Sequence, residues 1–156
     1  MDFDIVITRN TRMDQLLPSE HLQDRTPEQL TTPMTHTILL IDDNPVQAAT
    51  RQTILTRAGY PVIATLSPQR ALEQFHAGEI PDDIGLVITD HLMPGMNGAS
   101  FVAELRKTYP HLPVLVITGL EEAADEYADL NVAFRLKPLL PDNLLASVHH
   151  LVTGTE

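Results

Sequence analysis

Residues 86–98 read Leu-Val-Ile-Thr-Asp-His-Leu-Met-Pro-Gly-Met-Asn-Gly. In this stretch an apolar run of strand length ends on a carboxylate, Asp90, and is followed by the turn residues Pro94, Gly95 and Gly98. Short apolar runs bounded by turn residues are typical of buried strands. In parallel α/β sheets, ligands bind at the edge formed by the carboxyl ends of the strands. The stretch therefore predicts a buried β-strand that presents Asp90, the expected chemical centre, at a functional edge.

Strand-like and helix-like segments alternate five times along the chain around this stretch. Short apolar runs predict strands over residues 37–41, 61–64, 84–89, 113–118 and 132–136. The segments after them predict helices over residues 45–58, 68–78, 99–108, 121–130 and 141–151. The connections are short, so we expect parallel strands joined by right-handed crossovers. The result is a three-layer α/β domain.

Capping residues mark the ends of the first two helices. Asn44 and Pro45 supply an N-cap and a proline at the first helical position, and Ser67 is likewise an N-cap followed by a proline. Gly59 and Gly78 end these helices. The first helix is expected to bury an apolar face made of Val46, Ala49, Ile54, Leu55 and Ala58.

Length and composition restrict the class of function. With 156 residues, of which 43% are hydrophobic and 20% charged, the chain has the composition of a globular protein with one domain. The absence of cysteine excludes a disulfide framework, a thiolate zinc site and a cysteine nucleophile. A net charge of -11 disfavours nucleic acid and anionic lipid, so protein partners or cations are expected. No apolar run has the length of a membrane span and no secretory signal is evident, so we expect a cytoplasmic protein.

The beginning of the chain differs in pattern from the rest. After one short apolar run it is polar and interrupted by Pro18, Pro27 and Pro33. We expect a flexible extension over residues 1–35, with one helical turn near residues 13–17. The predicted domain covers residues 36–153, and residues 154–156 form a tail. Since no output domain follows, a single-domain protein is expected.

Polar side chains lie at or near the carboxyl ends of four of the predicted strands: Asp42 and Asp43, Asp90, Thr118 and Lys137. In a parallel sheet these side chains converge on one edge. Carboxylates brought together repel one another unless a cation is present, and Mg²⁺ takes oxygen ligands and works beside phosphate. A lysine and a hydroxyl complete a site for phosphoryl oxygens, and a carboxylate can accept the phosphoryl group as an acyl phosphate. The residues thus predict phosphoryl transfer to Asp90 with Mg²⁺ as cofactor.

Four motifs over residues 36–152 resemble the receiver domain of bacterial response regulators of the single-domain type. The motifs are Leu-Leu-Ile-Asp-Asp at 39–43, Thr-Asp-His-Leu-Met-Pro-Gly-Met-Asn-Gly at 89–98, Val-Ile-Thr-Gly at 116–119 and Phe-Arg-Leu-Lys-Pro at 134–138. Each motif alone is moderate evidence, whereas all four in this order at strand ends are specific. The resemblance implies a (βα)5 flavodoxin-like, doubly wound parallel sheet with strand order 2-1-3-4-5.

The resemblance also assigns roles to the acidic residues. Carried over residue by residue, it implies that Asp90 is the phosphoacceptor. It implies that Asp43 and Asp90 bind Mg²⁺ together with the backbone carbonyl of Leu92, while Asp42 contributes through water.

The remaining motif residues are implied to contact and sense the phosphoryl group. Thr118 and Lys137 would contact its oxygens, and the Lys137–Pro138 bond would be cis. Phe134 matches the aromatic switch residue that turns inward when Thr118 moves, although core packing alone also explains an aromatic residue in a strand. Leu92 and Leu120 occupy positions that influence access of water to the acyl phosphate, which favours slow self-dephosphorylation.

The implied function is that of a stand-alone response regulator, phosphorylated by a sensor histidine kinase or a histidine phosphotransfer protein. It would not be an enzyme beyond promoting its own phosphorylation and dephosphorylation. Phosphorylation would change which downstream protein binds the face formed by the fourth helix, fifth strand and fifth helix, which is also a candidate homodimer surface. The acidic run over residues 121–129 lies on that face, but a solvated helix face explains it equally well.

Other functions remain open on the sequence alone. A phosphorelay intermediate or a phosphate sink would use the same residues, and a receiver-shaped binding scaffold would need no phosphate. A haloacid-dehalogenase-like phosphohydrolase also uses a strand-end aspartate, but requires a second aspartate two residues later. This chain has Asn44 after Asp42 and Leu92 after Asp90 at that distance. His91 is expected to be an exposed residue at the mouth of the site.

Overall fold

The structure is a computed structural model that describes residues 36–154. The strands are β1 (Thr37–Ile41), β2 (Val62–Thr65), β3 (Ile84–Thr89), β4 (Val114–Thr118) and β5 (Ala133–Leu136). The helices are α1 (Pro45–Arg57), α2 (Pro68–His76), α3 (Gly98–Thr108), one 3₁₀ helix (Glu121–Tyr127) and α4 (Pro141–Thr153). The predicted extension and its helical turn near residues 13–17 lie outside the described residues. Within residues 36–154, no helix has the length and apolar character needed to cross a membrane.

The five strands form one parallel sheet in the order β2-β1-β3-β4-β5. This confirms the predicted doubly wound sheet with strand order 2-1-3-4-5. Ile41 pairs with Thr89, and Thr118 pairs with Leu136. Each of these residues is the last in its strand. The register therefore brings the carboxyl ends of β1, β3, β4 and β5 to one edge.

The two faces of the sheet carry separate apolar clusters. Leu39 and Ile41 of β1 belong to one cluster, while Ile38 and Leu40 belong to the other, as expected for alternating side chains in a strand. The first cluster is covered by residues of α2 and α3, namely Ala71, Leu72, Phe101, Val102 and Leu105. The second is covered by residues of α1 and α4, namely Ala48, Leu55, Leu144 and Val148. This arrangement is the predicted three-layer architecture.

Side chains cap three helices at their amino ends. The Asn44 side chain accepts hydrogen bonds from the backbone N–H groups of Val46 and Gln47, both at 3.0 Å. The Ser67 hydroxyl accepts one from Arg70 N–H at 3.1 Å, so both predicted caps are confirmed. Asn97 caps α3, because its side-chain oxygen accepts a hydrogen bond from Ser100 N–H at 2.8 Å.

The buried face of α1 differs from the prediction. Its buried residues are Ala48, Arg51 and Leu55, so Leu55 is confirmed, whereas Ala49 and Ala58 are exposed and the Val46 side chain is 75% exposed. The spacing of three and four residues between the buried positions is that of one helix face, and Val46 lies off it. Hydropathy excluded Arg51 from this face, but the structure buries its guanidinium beside Asp42. The inner surface of α1 is therefore partly ionic.

The predicted helix over residues 121–130 is a 3₁₀ helix over Glu121–Tyr127. Its first residue has no side-chain cap, since Leu120 occupies the N-cap position. Acidic residues spaced three and four apart repel one another on a helix surface, which removes the pairwise stabilisation an α-helix normally gains. Ala123 and Tyr127 are its buried residues. Tertiary contacts at these two positions hold a segment with weak intrinsic preference for an α-helix.

Arg106 of α3 connects the two loops that precede β4 and β5, at the amino ends of these strands. Its guanidinium donates hydrogen bonds to the backbone carbonyls of Tyr109 at 2.9 Å and Leu112 at 2.6 Å. It also donates to the carbonyls of Leu130 at 2.8 Å and Asn131 at 3.0 Å, between the 3₁₀ helix and β5. One side chain thus satisfies four carbonyls in segments without regular hydrogen bonding.

Replacing this side chain tests its structural contribution. We expect Arg106→Met to lower the free energy of unfolding by about 2–3 kcal/mol, because four carbonyls lose a charged donor. Lys107→Met is the matched control, since Lys107 is exposed and makes only a surface ion pair with Glu104. Urea unfolding of both variants measures the difference, and equal losses would contradict the role given to Arg106.

Candidate functional site

The strand-end residues lie together at one edge of the sheet. Backbone hydrogen bonds join the strand ends, from Asp90 N–H to the carbonyl of Ile41 at 3.3 Å and from Lys137 N–H to the carbonyl of Thr118 at 2.9 Å. A cavity of about 430 Å³ opens at this edge. Its lining includes all the predicted site residues except Phe134, namely Asp42, Asp43, Asp90, Leu92, Thr118 and Lys137.

Asp90 is buried and held on both of its carboxylate oxygens. Its Oδ1 accepts hydrogen bonds from the backbone N–H groups of His91 at 2.6 Å and Leu92 at 3.4 Å. Its Oδ2 forms an ion pair with Lys137 Nζ at 2.6 Å. The Asp90 side chain is 7% exposed and that of Lys137 is 29% exposed. The carboxylate is thus fixed in orientation, with Oδ2 beside the cation.

Thr118 and Leu120 line the side of the cavity formed by β4. The Thr118 side chain is buried, and its hydroxyl oxygen accepts a hydrogen bond from Leu120 N–H at 3.3 Å. The hydroxyl proton is then available for a second acceptor. A hydroxyl and an ammonium at the same cavity provide donors for the oxygens of an anion such as a phosphoryl group.

Asp42 and Asp43 differ in their surroundings although they are neighbours. Asp42 is fully buried and forms an ion pair with Arg51 at 3.1 Å. It also accepts a hydrogen bond from the Gln47 side-chain amide at 2.6 Å. Asp43 is half-buried and lines the cavity. Only one of the two carboxylates is therefore neutralised by an arginine.

The oxygen groups of the cavity fit Mg²⁺ in part. The carboxylates of Asp43 and Asp90 and the backbone of Leu92 all lie at it, and its volume leaves room for water. However, nowhere in residues 36–154 do three acidic or histidine side chains form a ready three-ligand metal cluster. The predicted contribution of Asp42 is the weakest part of the set, because its carboxylate is already bound by protein donors.

His91 is buried, so its predicted exposure is wrong. Its Nδ1 lies 2.8 Å from the Tyr127 hydroxyl, and its Nε2 lies 3.4 Å from a carboxylate oxygen of Glu126. The rings of His91 and Tyr127 meet edge to face, with centroids 5.5 Å apart. Both partners belong to the 3₁₀ helix. The sequence around His91 therefore does not show that this side chain is covered. The residue next to Asp90 therefore contacts the acidic segment directly.

Phe134 lies beyond the cavity on β5 and is half-buried. Its ring centroid is 5.8 Å from that of Tyr127. Burial raises the pKa of the Tyr127 hydroxyl, and the charges of Glu126 and Asp90 act in the same direction. Tyr127 thus stays protonated and touches both the predicted switch aromatic and the residue after the central carboxylate.

Gly98 allows the turn after β3 to fold closely against α3. A Cβ at this position would lie 2.5 Å from the Asp90 carbonyl oxygen and 3.1 Å from the Cα of His91. It would also collide with the Tyr127 hydroxyl. Glycine is required here because three groups of the site approach its backbone.

Two further residues, Arg51 and Gln47, contact the carboxylates of this site, although no sequence motif indicates them. Gln47 donates to Asp42 and also lies 3.4 Å from Asp90 Oδ2. The available signal was the spacing of Arg51 from Ala48 and Leu55, which places an arginine on the inner face of α1. Hydropathy alone argued against that placement.

Comparison with known proteins gives a family match and similar structures. The family model described as the response regulator receiver domain matches residues 38–149. The chain is 29% identical over 121 residues to the hydrogenase transcriptional regulatory protein HoxA of Cupriavidus necator, covering 74% of this chain and 24% of that protein. It is 29% identical over 119 residues to a two-component response regulator of Oryza sativa, covering 69% of this chain and 65% of the relative. The chain thus spans less than two thirds of either relative.

Solved structures agree with the family match. The chemotaxis response regulator CheY4 of Vibrio cholerae has a TM-score of 0.66 and 25% identity, covering 75% of this chain and 98% of that one. A response regulator receiver protein of Sinorhizobium medicae has a TM-score of 0.68 and 26% identity, covering 78% and 98%. Since the family model matches residues 38–149, which is most of the chain, this chain belongs to the family of response regulator receiver domains.

Proposed function

We propose that Asp90 accepts a phosphoryl group from a phosphohistidine of a sensor histidine kinase or a histidine phosphotransfer protein. Receiver domains of two-component systems are generally non-enzymatic signalling domains, and a phosphorylated aspartate and Mg²⁺ are general features of the family. The observation that supports Asp90 is its ion pair with Lys137 at 2.6 Å inside the cavity. No other carboxylate among residues 36–154 both lines this cavity and pairs with a lysine.

The proposed phosphoryl transfer depends on the different surroundings of the two Asp90 carboxylate oxygens. Oδ1 is held by the backbone N–H groups of His91 and Leu92, whereas Oδ2 contacts side chains that can move, so Oδ2 would be the oxygen that attacks phosphorus. A new O–P bond forms as the N–P bond of the phosphohistidine breaks, and the imidazole leaves with the bonding electrons. Lys137 and the Thr118 hydroxyl then bind oxygens of the transferred group. Such transfers depend chiefly on positioning and on neutralising charge.

Magnesium would be held by Asp43, Asp90 and the Leu92 carbonyl, with Asp42 acting through water. When bound, the ion neutralises charge on the phosphoryl oxygens. We further propose that the chain acts as a stand-alone cytoplasmic regulator with its domain over residues 36–153. A phosphorelay intermediate or phosphate sink would use the same chemistry.

The proposed output face consists of the 3₁₀ helix, β5 and α4, and phosphorylation would bias it between two states. Thr118 connects to β5 through its carbonyl, which accepts a hydrogen bond from Lys137 N–H. His91 connects to the 3₁₀ helix through Tyr127, and Tyr127 touches Phe134. Receiver domains interact with sensor kinases and downstream effectors. This face would select such an effector or a second copy of the chain.

Phosphorylation in vitro tests the acceptor. Incubation with acetyl phosphate and Mg²⁺ should add one phosphoryl group per chain by intact mass, and Asp90→Asn should abolish it. Asp82→Asn changes an exposed aspartate outside the cavity and should leave labelling intact. Lys137→Ala should slow labelling at least about tenfold, because the charge beside Oδ2 is lost. Labelling of Asp90→Asn, or repeated turnover of a phosphoester, would contradict the proposal.

The stability of the acyl phosphate tests the role of the two leucines. Leu92 and Leu120 both line the cavity, and neither offers a polar group that could orient water. We expect the phosphorylated protein to persist beyond the minute scale with Mg²⁺ present. Leu92→Asn should shorten its lifetime, whereas Leu66→Asn, at an exposed leucine outside the cavity, should not. Loss of the label within a minute in the unchanged protein would refute this expectation.

Activation with beryllofluoride tests the output face. In ¹H–¹⁵N spectra with Mg²⁺, we expect shifts over residues 121–136 and 141–153 as well as at the cavity, because the phosphoryl mimic engages Thr118 and Lys137. Residues of β2 and α2 should change little. The Asp90→Asn variant supplies the control. Shifts confined to the cavity residues would argue against a phosphorylation-dependent face.

A further inference from the structure

Arg51 is an unusual residue on the inner face of α1. It lies between the buried residues Ala48 and Leu55 and is itself only 9% exposed. Its guanidinium contacts Asp42 Oδ2 at 3.1 Å, and the Asp42 side chain is fully buried. A buried arginine requires a partner, because an isolated charge in a protein interior is costly. The partner is a carboxylate of the proposed magnesium site.

Protein donors occupy both oxygens of Asp42. Oδ1 accepts a hydrogen bond from Asn44 N–H at 3.0 Å. Oδ2 accepts from the Gln47 amide at 2.6 Å and from the Arg51 guanidinium at 3.1 Å. With two donors on Oδ2 and one on Oδ1, the Asp42 carboxylate is held away from direct coordination, and about one acceptor site on Oδ1 is left for a water bound to the metal.

The charge balance of the site depends on Arg51. Asp42, Asp43 and Asp90 bring three negative charges, and Lys137 alone offsets only one. Arg51 offsets a second, and it remains protonated. Burial lowers the pKa of Arg51, while the charges of Asp42 and Asp90 raise it. The field of Arg51 thus extends to the central carboxylate as well as to its direct partner.

We infer that Arg51 is a positioning residue that holds Asp42 in an ion pair outside the magnesium shell, so that the site binds Mg²⁺ through two carboxylates and at reduced affinity. The inference rests on the proposed function, because it presupposes magnesium at Asp43 and Asp90. Gln47 supports this arrangement, since its side-chain amide donates hydrogen bonds to both Asp42 and Asp90.

Magnesium titration of variants tests the effect on affinity. Isothermal titration with Mg²⁺ alone should show at least about fivefold tighter binding to Arg51→Met and Arg51→Gln, because a nearby positive charge is lost and Asp42 is released. Arg51→Lys retains the charge and should stay within about twofold of the unchanged protein. Arg57→Met is the matched control, since it removes an exposed arginine from the same helix. Structural damage alone would weaken binding, so tighter binding excludes that explanation.

The unchanged protein supplies a second, independent measurement. The side-chain Nε–H resonance of Arg51 should stay in place as Mg²⁺ saturates the site, because the ion pair persists. Its displacement to the position of exposed arginines would overturn the inference even if the neutral variants do not fold. Equal or weaker Mg²⁺ binding by both neutral variants would overturn it as well. Failure of the unchanged protein to bind Mg²⁺ would instead contradict the proposed magnesium site itself.

Discussion

The rest of this structure depends on two buried carboxylates at the carboxyl edge of one parallel sheet. Asp42 directly follows β1 and Asp90 directly follows β3, and these two strands are direct neighbours in the sheet. Each is neutralised by a cation from a different element, Arg51 of α1 and Lys137 after β5. Buried charges are tolerated only when paired, so these two contacts tie α1 and β5 to the centre of the sheet. The same two ion pairs therefore stabilise the fold and determine the charge distribution at the site.

The Asp90–Lys137 and Asp42–Arg51 ion pairs differ in how accessible their charged groups are from the cavity. Lys137 is partly exposed and lines the cavity, so its ammonium group is accessible from the cavity. Arg51 is enclosed between α1 and the sheet, and Asp42 has donors on both oxygens. On the proposed function, one pair opens toward substrate while the other acts as a fixed electrostatic support. That difference arises from position: α1 covers the sheet, whereas the segment after β5 lies at its rim.

Much of this site was predictable because its signals are local. A strand that ends on a polar residue places that residue at the edge, which located Asp90, Thr118 and Lys137 from their own neighbours in sequence. Two of the failures involve partners that the hydropathy pattern does not show. Arg51 is buried because Asp42 lies across the turn from β1, and His91 is buried because Tyr127 covers it from 36 residues away. Hydropathy registers the polarity of such residues but not the partner that compensates it.

The 3₁₀ helix combines this non-local dependence with weak local stability. It lacks a side-chain cap, carries mutually repelling carboxylates, and is anchored mainly by Ala123 and Tyr127. Segments with few buried contacts have low free energies of local rearrangement. Tyr127, however, bonds to the residue beside Asp90 and contacts Phe134. A small displacement at Asp90 thus acts on the part of the proposed output face that resists it least, whereas Arg106 holds the segment after it in place.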